Sequence, residues 1–519
     1  MILYAICVME HVTKNDLAQI DRSYLQSLEN EVLIDVACRL RDFCAELMER
    51  LEQNSSNSSK PPSSDDPYRK GKKGKRDSED GDAGSSRAED KEDKTTGKDA
   101  SSESSKADDC KRSAGRQPGS QGFWRTETPV PESTVRHYPD HCVICGKELA
   151  CVAEVSGPWM GHYVYELEKR ESGIRVFCTL HHYYGAICDC GHETKAQPGE
   201  GRISHVEGRK KDLKLSEYTM VGPMLATFIA ALSVRLRMSR AKIREFLSYW
   251  LNTEFSVGTI DKCIREAGVA CYEVVEELVK ELQAEEIANL DETPWYEKGR
   301  LKWLWVAISK SVAVFYIGTR KKEELLNLIT EAFIGWLVTD GYLAYRSYEK
   351  RQRCLAHLIR KAIALSGAVD KRAQEMGEWF LRELRGLITA MAEHGEGGKR
   401  KCSPILARLK RACNLGSEEN HSKLRALAKE ILNDWDAVVA FVKNPGLPPT
   451  NNDAERALRH AVISRRISFG TRTTEGSMAY AALLSVIETC RLRNQDPWQY
   501  IAQTIALGRK GIAPSPIPA

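Results

Sequence analysis

The sequence contains no uninterrupted apolar run of about 18 residues, the length at which a membrane-spanning helix is expected. Its opening, MILYAICVMEH, has no basic segment ahead of the apolar residues and soon meets charged ones, so it lacks the organisation of a secretory signal peptide. Both absences predict a protein that stays in the cytoplasm and has no membrane partner.

Two further absences concern charge and cysteine spacing. A formal net charge of +4 in 519 residues is weak, so only local clusters of basic residues can indicate a nucleic-acid partner. The 16 cysteines are scattered and unevenly spaced, which argues against a small disulfide-rich secreted domain. They fit a reduced compartment in which close pairs bind metal. A chain of this length is predicted to form about two to four domains.

Changes in composition along the chain predict its segments. Residues 1–53 are predicted to be an N-terminal helical segment, in which residues 21–52 form one helix whose apolar stripe is typical of a coiled coil and equally of one face of a packed helix. Residues 54–121 are predicted to be a disordered linker, because they offer too little apolar surface to offset the entropy of ordering. The segments that follow are a Cys- and His-rich module at 122–212, a helical region at 213–285, an α/β part at 286–369, a helical block at 370–446 and a helical C-terminal part at 447–519.

From residue 286 the apolar pattern changes to a period of two. IANLDETPWY, LKWLWVAIS and VAVFYIGT predict three consecutive strands, and GWLVTDGYLAY and QRCLAH predict a fourth and a fifth. KKEELLNLITEAF predicts a helix between the third and fourth strands, and further helices are predicted over residues 358–366 and 370–443. This order predicts a multidomain α/β protein whose catalytic domain is RNase H-like and carries a helical insertion.

Three carboxylates fall where such a domain performs chemistry. Asp291 lies in the first strand and Asp340 at the end of the fourth, and these strands are neighbours in an RNase H-like sheet. A third carboxylate is expected on a later helix, where TNNDAERALRHAV offers Glu455, with Asp453 as the near alternative. Adjacent aspartates repel each other unless they share cations, which is the arrangement of a two-metal site. The sequence therefore predicts that Asp291, Asp340 and Glu455 hold two Mg²⁺ or Mn²⁺ ions.

With these residues in view, the sequence resembles the insertion sequence 66 family of bacterial DDE transposases. The resemblance rests on LDETPW, VTDGYLAY, CLAHLIRKA, TNNDAERALRHAVISRRISFG and LLSVIETCRLRNQDPWQYI, and on QNSSNSSKPPSSD, GRQPGSQG and CVICG in the N-terminal half. It implies that Asp291, Asp340 and Glu455 are the catalytic triad of an enzyme that cuts and joins transposon ends without a nucleotide cofactor. The sequence departs from the family in a longer, more acidic linker over residues 66–113 and in CDCGH, where the family usually has Cys-x-x-Cys.

Two close cysteine pairs predict one structural Zn²⁺ site in the module at 122–212. Cys142 and Cys145 form a Cys-x-x-Cys knuckle followed by glycine, a spacing at which two thiolates can bind one tetrahedral ion. The partner pair is Cys188 and Cys190, with His192 open as a substitute for either. A β-rich insert is expected between the two pairs.

Basic residues in two regions predict contacts to DNA. SRAKIREFLSYWLNTEFSVGTIDKCIREAG predicts two helices with Ser256 as the second N-cap, a pattern typical of a helix-turn-helix and also of ordinary packed helices. In a helix-turn-helix, Thr259, Lys262 and Arg265 would face the major groove. Arginines that follow Glu455 are predicted to bind backbone phosphates, with surface ion pairing as the alternative: Arg456, Arg459, Arg465, Arg466 and Arg472.

Cys354 and His357 have a metal-ligand spacing at the fifth strand, but no second pair lies near them in the sequence. His357 is therefore predicted to be an active-site neighbour that contacts phosphate, with a hydrogen-bonded core histidine as the alternative. Trp303 and Trp305 lie two residues apart on one strand and are predicted to be core residues.

Together these features predict a transposase that binds the terminal inverted repeats of a bacterial insertion sequence and catalyses metal-dependent DNA strand cleavage and transfer. The expected partners are double-stranded DNA, at the element ends and at the target, and further copies of the chain on that DNA, in the cytoplasm at the nucleoid. A need for helper proteins of the element is left open. Two alternatives are a related nuclease that cuts without joining and a DNA-binding regulator with an inactive catalytic domain. The three intact carboxylates favour an enzyme over the regulator.

Overall fold

A computed structural model describes residues 128–149, 157–204, 213–330 and 332–519, together with isolated positions of a helix between residues 29 and 44. Most of the helix predicted over residues 21–52, and the whole of the predicted linker, lie outside the described residues. The chain divides into one compact unit that takes in residues 129–519 and a second, residues 66–128, of which only Thr128 is described. Among the described residues, no helix is both long and apolar enough to cross a bilayer.

The strands follow one another in two groups, the second of which forms the central sheet. They are β1 (Ser133–His137), β2 (Met160–Arg170), β3 (Gly173–Tyr183), β4 (Gly185–Ile187), β5 (Glu193–Lys195), β6 (Glu200–Ser204), β7 (Leu213–Ser216), β8 (Ile287–Glu297), β9 (Arg300–Ile308), β10 (Ala313–Gly318), β11 (Trp336–Thr339) and β12 (Arg351–Arg353).

The α-helices separate the two groups of strands and then fill the C-terminal part. They are α1 (Pro223–Val234), α2 (Arg240–Leu251), α3 (Val257–Ala270), α4 (Tyr272–Gln283), α5 (Leu355–Ser366), α6 (Lys371–His394), α7 (Gly398–Glu418), α8 (Ser422–Asn433), α9 (Trp435–Val438), α10 (Ala440–Lys443), α11 (Asn452–Ser468), α12 (Thr474–Leu492) and α13 (Pro497–Arg509). Short 3₁₀ helices lie at Lys322–Asn327, Leu343–Ser347 and Gly395–Gly397.

The module that carries the cysteine pairs is built from β1 to β7. Strands β1, β3 and β2 form a sheet in that order, in which β3 runs antiparallel to β2 and parallel to β1. Strands β4 and β5 pair as a short hairpin, and β6 pairs with β7. Strands β2, β3 and β4 begin after Cys145 and end before Cys188, so the β-rich insert expected between the two cysteine pairs is present.

The central sheet has the strand order β10-β9-β8-β11-β12. Strands β8, β9 and β10 are antiparallel neighbours, while β11 runs parallel to both β8 and β12. The five strands predicted from the period-two pattern are therefore present, and the first lies beside the fourth. Val338 of β11 is opposite Asn289 of β8, and continuing this register by two residues brings Asp340 beside Asp291.

One predicted helix is shorter than expected. KKEELLNLITEAF forms only the 3₁₀ helix Lys322–Asn327. The Glu324 carboxylate accepts hydrogen bonds from the Thr319 backbone N–H, at 2.9 Å, and from the Tyr316 hydroxyl, at 2.8 Å. These bonds tie the first turn to the end of β10, and the apolar residues after it turn into the core instead of continuing a regular helix.

Two apolar clusters organise the rest of the unit. The first lies around the sheet, where α12 packs on β10 and α11 packs on β8 and β9. The second belongs to the helical block, whose helices α6, α7 and α8 pack around Phe380 and meet α5. Buried ion pairs join this block to the last strand of the sheet: Arg351 binds Asp434, and Arg353 binds Glu430 at 2.6 Å.

Candidate active site and cysteine cluster

Two of the predicted carboxylates meet where β8 and β11 run side by side. Asp291 lies within β8 and Asp340 directly follows β11, and their oxygens lie within 4.8 Å of each other and of Glu292. Burial raises the pKa of Asp291 well above its usual range, and the neighbouring charges of Glu292, Asp340 and Glu455 raise it further. This mutual repulsion is what a bound divalent cation would relieve, and hard oxygen ligands of this kind suit Mg²⁺ or Mn²⁺.

Asn451 brings the third carboxylate towards this pair. It is fully buried, and its amide donates to the Leu290 carbonyl at 2.6 Å while its carbonyl oxygen accepts from the Asn289 side chain at 3.1 Å. The start of α11 is thereby fastened to β8 directly before Asp291, and Glu455 follows in the first turns of the helix. Asparagine at the start of a helix usually acts as an N-cap, but the Asn451 side chain does not cap α11, and nothing in the spacing of the sequence indicates its bond to β8.

Glu455 lies at the edge of the aspartate pair, among side chains of α5. Its carboxylate lies within 4.8 Å of Cys354 and His357 ligand atoms, and Arg360 Nη2 approaches its two oxygens at 3.1 and 3.3 Å. Glu455 is not within the 4.8 Å group that Asp291 and Asp340 form with Glu292, although its charge reaches Asp291. His357 is thus a neighbour of the predicted site.

Cys354, His357 and Glu455 offer the atoms of a metal site but not its charge environment. Burial raises the pKa of the Cys354 thiol, which disfavours the thiolate that a metal needs. Burial also lowers the pKa of His357 to about 3, with further lowering from nearby cations. Those cations, which would repel a metal ion as well, are Arg360, Arg353 and Lys361. We therefore assign no metal to this trio.

Glu292 joins the two aspartates, although the sequence does not mark it as a site residue. Strand alternation predicts that it faces away from Asp291, and nothing in the spacing marks it beyond its position. Its side chain is only 1% exposed, and it accepts hydrogen bonds from Arg320 at 2.7 Å and from the Tyr345 hydroxyl at 2.5 Å. Burial, with the charge of Asp340, raises its pKa to about 7. Because both carboxylate oxygens already have donors, Glu292 is better suited to positioning its neighbours than to holding a metal ion.

The predicted core tryptophans divide into two environments. Trp305 is fully buried, whereas Trp303 is half-buried. The Arg320 guanidinium lies over the Trp303 ring at 4.1 Å and the Tyr342 ring at 4.2 Å. Trp303 therefore supports the arginine that binds Glu292.

The four predicted cysteine ligands come together in the N-terminal module. Their sulfurs lie within 4.8 Å of one another, with Cys142 at 3.6 Å from Cys190 and Cys145 at 3.4 Å from Cys188. Tetrahedral Zn–S bonds of about 2.3 Å require sulfurs about 3.8 Å apart, so the spacing fits one Zn²⁺. Backbone N–H groups facing the thiol lower the pKa of Cys142 to about 6. A backbone N–H of Cys190 lowers the pKa of Cys188, but the Cys145 thiol and burial outweigh it and raise that pKa to about 12, so the spacing of the sulfurs, and not these shifts, supports a metal.

Each cysteine pair lies on a tight turn. Gly146 and Gly191 follow the pairs with φ of +70° and +84°, a conformation that glycine adopts without strain. His192, the alternative ligand, is not part of the cluster; its backbone carbonyl instead accepts a hydrogen bond from the Cys188 N–H at 2.9 Å. The module contains two further cysteines: Cys178 is buried in β3, and Cys151 lies outside the described residues.

The two helices of the predicted helix-turn-helix are α2 and α3, and Ser256 caps α3 by accepting from the Thr259 N–H at 3.0 Å. Helix α3 packs against α1, α2, α12 and α13, so little of its surface is open. Lys262 is exposed, but Thr259 is half-buried and Arg265 is engaged by Asp261 at 2.9 Å and Glu475 at 3.6 Å. Groove contacts by these residues stay a prediction, with Lys262 the best placed.

The predicted arginines take three different positions. Arg459, Arg466 and Arg472 are exposed and have no acidic partner among the described residues. Arg456 is exposed and pairs with Asp453 on the same helix, as the surface alternative predicts. Arg465 turns inward, where it donates to the Thr293 hydroxyl at 3.0 Å and to the Pro294 carbonyl, because its position on α11 faces β8. It ties α11 to the sheet and does not belong to the exposed row.

These features describe an α/β protein with an acidic cluster at adjacent parallel strands and a cysteine cluster in a separate module. The sequence profile described as "Transposase IS66 family" matches residues 219–479, just over half of the chain, and the chain belongs to this family. A second profile, "Family of unknown function (DUF6444)", matches residues 23–95.

Relatives in Sinorhizobium fredii carry no assigned function. "Uncharacterized protein y4jD" is 26% identical over 196 residues, which cover 34% of this chain and 38% of the relative. "Uncharacterized protein y4qI" is 28% identical over 208 residues, which cover 36% and 38%. "Uncharacterized protein y4hP" is 37% identical over 76 residues, which cover 15% and 14%. The chain thus matches well under half the length of these relatives.

Proposed function

We propose that this chain is a DNA transposase that binds the ends of a bacterial insertion sequence and carries out metal-dependent strand cleavage and transfer. Its catalytic domain is RNase H-like, with Asp291, Asp340 and Glu455 as the catalytic carboxylates. DNA, at the element ends and at the target, is the substrate, and the chain acts on it in the cytoplasm at the nucleoid as an oligomer. A requirement for helper proteins is left open.

The observation that carries this proposal is the order of the central sheet. Strands β10, β9 and β8 are antiparallel, and β11 and β12 continue the sheet parallel to β8. Asp291 and Asp340 therefore lie side by side on neighbouring strands. The buried Asn451 fastens the start of α11 to β8, which brings Glu455 near these two aspartates. Membership in a transposase family supports the same reading.

Asp291, Asp340 and Glu455 are the residues that would hold two Mg²⁺ or Mn²⁺ ions. Such ions, when bound, activate a water or a 3′-hydroxyl and stabilise the leaving oxygen of a phosphodiester. Arg459, Arg466 and Arg472 bind backbone phosphates, which sets the register of the strand without reading its bases. Glu292 positions Arg320 and Tyr345 beside the aspartates.

The four cysteines of the N-terminal module hold one structural Zn²⁺. The thiols lie on two tight turns, and a metal shared between them would fix the turns relative to each other. A module stiffened in this way presents one surface to DNA.

The test is a reaction of the full chain with end-labelled duplexes from the element ends, a supercoiled target plasmid and Mg²⁺. A transposase cuts at the element end and joins the label to the plasmid. Cut ends without joined product indicate a nuclease, and binding without cutting indicates a regulator; either result overturns the proposal. A reaction with Ca²⁺ in place of Mg²⁺ serves as the binding control.

A further inference from the structure

Glu455 is held by a cation that no sequence pattern had marked. Arg360, on α5, directs one nitrogen, Nη2, at both oxygens of the Glu455 carboxylate, at 3.1 and 3.3 Å. The two side chains are 19% and 24% exposed, so the pair is largely removed from water. Among the described residues, no other arginine or lysine forms an ion pair with Glu455.

The cations around Arg360 already have partners of their own. Arg353 and Lys361 each donate to Glu430 at 2.6 Å, and both bonds use oxygens contributed by the helical block. Arg360 has Glu455 as its acidic partner, and its Nε and Nη1 have no hydrogen-bond partner among the described residues. Arg360 would therefore lose its counter-charge if Glu455 turned to a divalent ion.

We propose that Arg360 exchanges partners: it pairs with Glu455 in the free protein and binds a DNA backbone phosphate once a divalent ion engages Glu455. This inference rests on the proposed function, since it takes Glu455 as a metal ligand and DNA as the substrate. A guanidinium offers five donors in a planar fork that matches phosphate oxygens, and only one of its nitrogens is used on Glu455. The exchange adds Arg360 to the substrate-binding residues.

The exchange has a consequence for binding. In the free protein, Arg360 is paired with the Glu455 carboxylate, and its positive charge repels a divalent ion from that carboxylate. When Arg360 binds a DNA phosphate instead, this repulsion is removed, so DNA raises the affinity of the protein for the metal ion. By linkage, metal raises the affinity for DNA by the same factor.

The first test is a double-mutant cycle of DNA affinity against salt, measured with a chelator present and an element-end duplex as the probe. Glu455→Gln releases Arg360 without any metal, so the slope of log affinity against log salt should become steeper by about one unit. Adding Arg360→Gln to Glu455→Gln should remove that gain. Arg360→Gln alone should change the metal-free slope little, because in the metal-free wild type Arg360 is paired with Glu455 and contacts no phosphate that the variant could lose.

The second test is binding of Mn²⁺ to the DNA-free protein, followed by electron paramagnetic resonance. Arg360→Gln should raise Mn²⁺ affinity by about tenfold, because it removes a positive charge from the Glu455 carboxylate. Arg372→Gln is the matched control: it removes the same charge from an ion pair with Glu419, at 2.8 Å, on the helical block, and should leave Mn²⁺ affinity unchanged.

The outcomes separate this inference from the proposed function. An unchanged slope in Glu455→Gln, or an equal effect of Arg360→Gln with and without the Glu455 change, overturns the exchange. Wild-type protein that neither cuts nor joins element ends overturns the proposed function instead. Thermal melting checks the fold of every variant, and Arg360→Met, which keeps the aliphatic length, replaces Arg360→Gln in the cycle if the glutamine variant does not fold.

Discussion

Single residues decide which carboxylates of this chain act together. Asn451 is an example: its buried amide bonds to β8 beside Asp291, which fixes the start of α11 and hence the place of Glu455. Arg360 then determines the direction in which the Glu455 carboxylate points in the free protein. Asn451 is far in sequence from β8, and Arg360 is far from Glu455. The local sequence pattern therefore indicates which carboxylates are candidate site residues, and long-range hydrogen bonds determine which of them lie together.

Glu292 and Glu455 should respond differently to the same substitution. Glu292→Gln disturbs buried hydrogen bonds to Arg320 and Tyr345, so it should lower the free energy of unfolding by about 1–3 kcal/mol while cleavage stays measurable. Glu455→Gln takes the acidic partner from the largely buried Arg360 and should cost about 1–3 kcal/mol as well, but it should lower the cleavage rate by at least about 100-fold.

Urea unfolding and single-turnover cleavage of these two variants provide the comparison. A Glu292→Gln protein of normal stability that has lost cleavage would identify Glu292, rather than Glu455, as the third metal ligand.

His460 should make stability depend on pH. Its Nε2 bonds to the Val234 carbonyl at 2.8 Å and its Nδ1 accepts from Arg237 at 2.9 Å, so the folded protein holds the neutral ring. Burial lowers the pKa of His460 from 6.5 to about 4. The unfolded chain therefore binds the proton more readily, and the contribution to stability is complete above pH 6.5 and is lost as the pH falls towards about 4.

His460→Gln is the matched variant, because a glutamine side chain can also donate to one partner and accept from the other. Unfolding midpoints in urea between pH 7 and pH 4 should fall less steeply in this variant than in the wild type. Parallel curves for the two proteins would show that His460 does not titrate in this range.

At the scale of elements, α11 carries two kinds of arginine on different faces. Arg459 and Arg466 are exposed, whereas Arg465 bonds to β8. Arg466→Ala should flatten the salt dependence of DNA affinity by about 0.9 units of slope, since one phosphate contact is lost, and Arg459→Ala should do the same. Thermal stability of both variants should stay near that of the wild type.

Arg465→Ala is the control on the same helix. It should lower thermal stability and leave the salt slope unchanged, because the side chain is used within the fold. If instead Arg466→Ala lowers stability and keeps the full slope, the exposed row has no role in binding phosphate.

If the two cysteine turns share one Zn²⁺, as proposed, their stability should depend on that metal. Freshly purified protein should contain about one zinc per chain, and Cys145→Ser should lower that content and the melting temperature. Cys38→Ser changes an exposed thiol outside the cluster and should keep both. Elemental analysis is the measurement, and wild-type protein free of zinc would contradict the assignment.

At the scale of the whole molecule, the periodic features were predictable and the long-range partners were not. The period-two pattern after residue 286 predicted the five strands. Because Asp291 lies on the first strand and Asp340 at the end of the fourth, the pattern also predicted that these two residues lie close together. For α3 the sequence left a helix-turn-helix and ordinary packed helices both open; in the structure the small apolar run at its end, Ala267–Ala270, is buried against neighbouring helices. Cap and spacing rules describe one helix at a time, so they cannot tell a recognition helix from a packed one.

The helical block shows the same limit. Its helices were predicted from their own periodicity, but its buried ion pairs to the last strand could not be. Asp434 lies 83 residues after Arg351, and Glu430 lies 77 residues after Arg353, so only the packed structure brings these charges together. The block therefore supports the strand that leads into α5 and Arg360.

Asp291, Asp340 and Glu455 are proposed to form one catalytic site for DNA. Cleavage of a labelled element-end duplex by Asp291→Asn protein in Mg²⁺, with DNA affinity measured on the same preparation, tests that claim directly. The asparagine keeps the size of the side chain and removes the charge that a metal ligand needs, so cleavage should fall by at least about 1,000-fold while DNA affinity and melting temperature stay near wild type. Normal cleavage by Asp291→Asn would contradict the account.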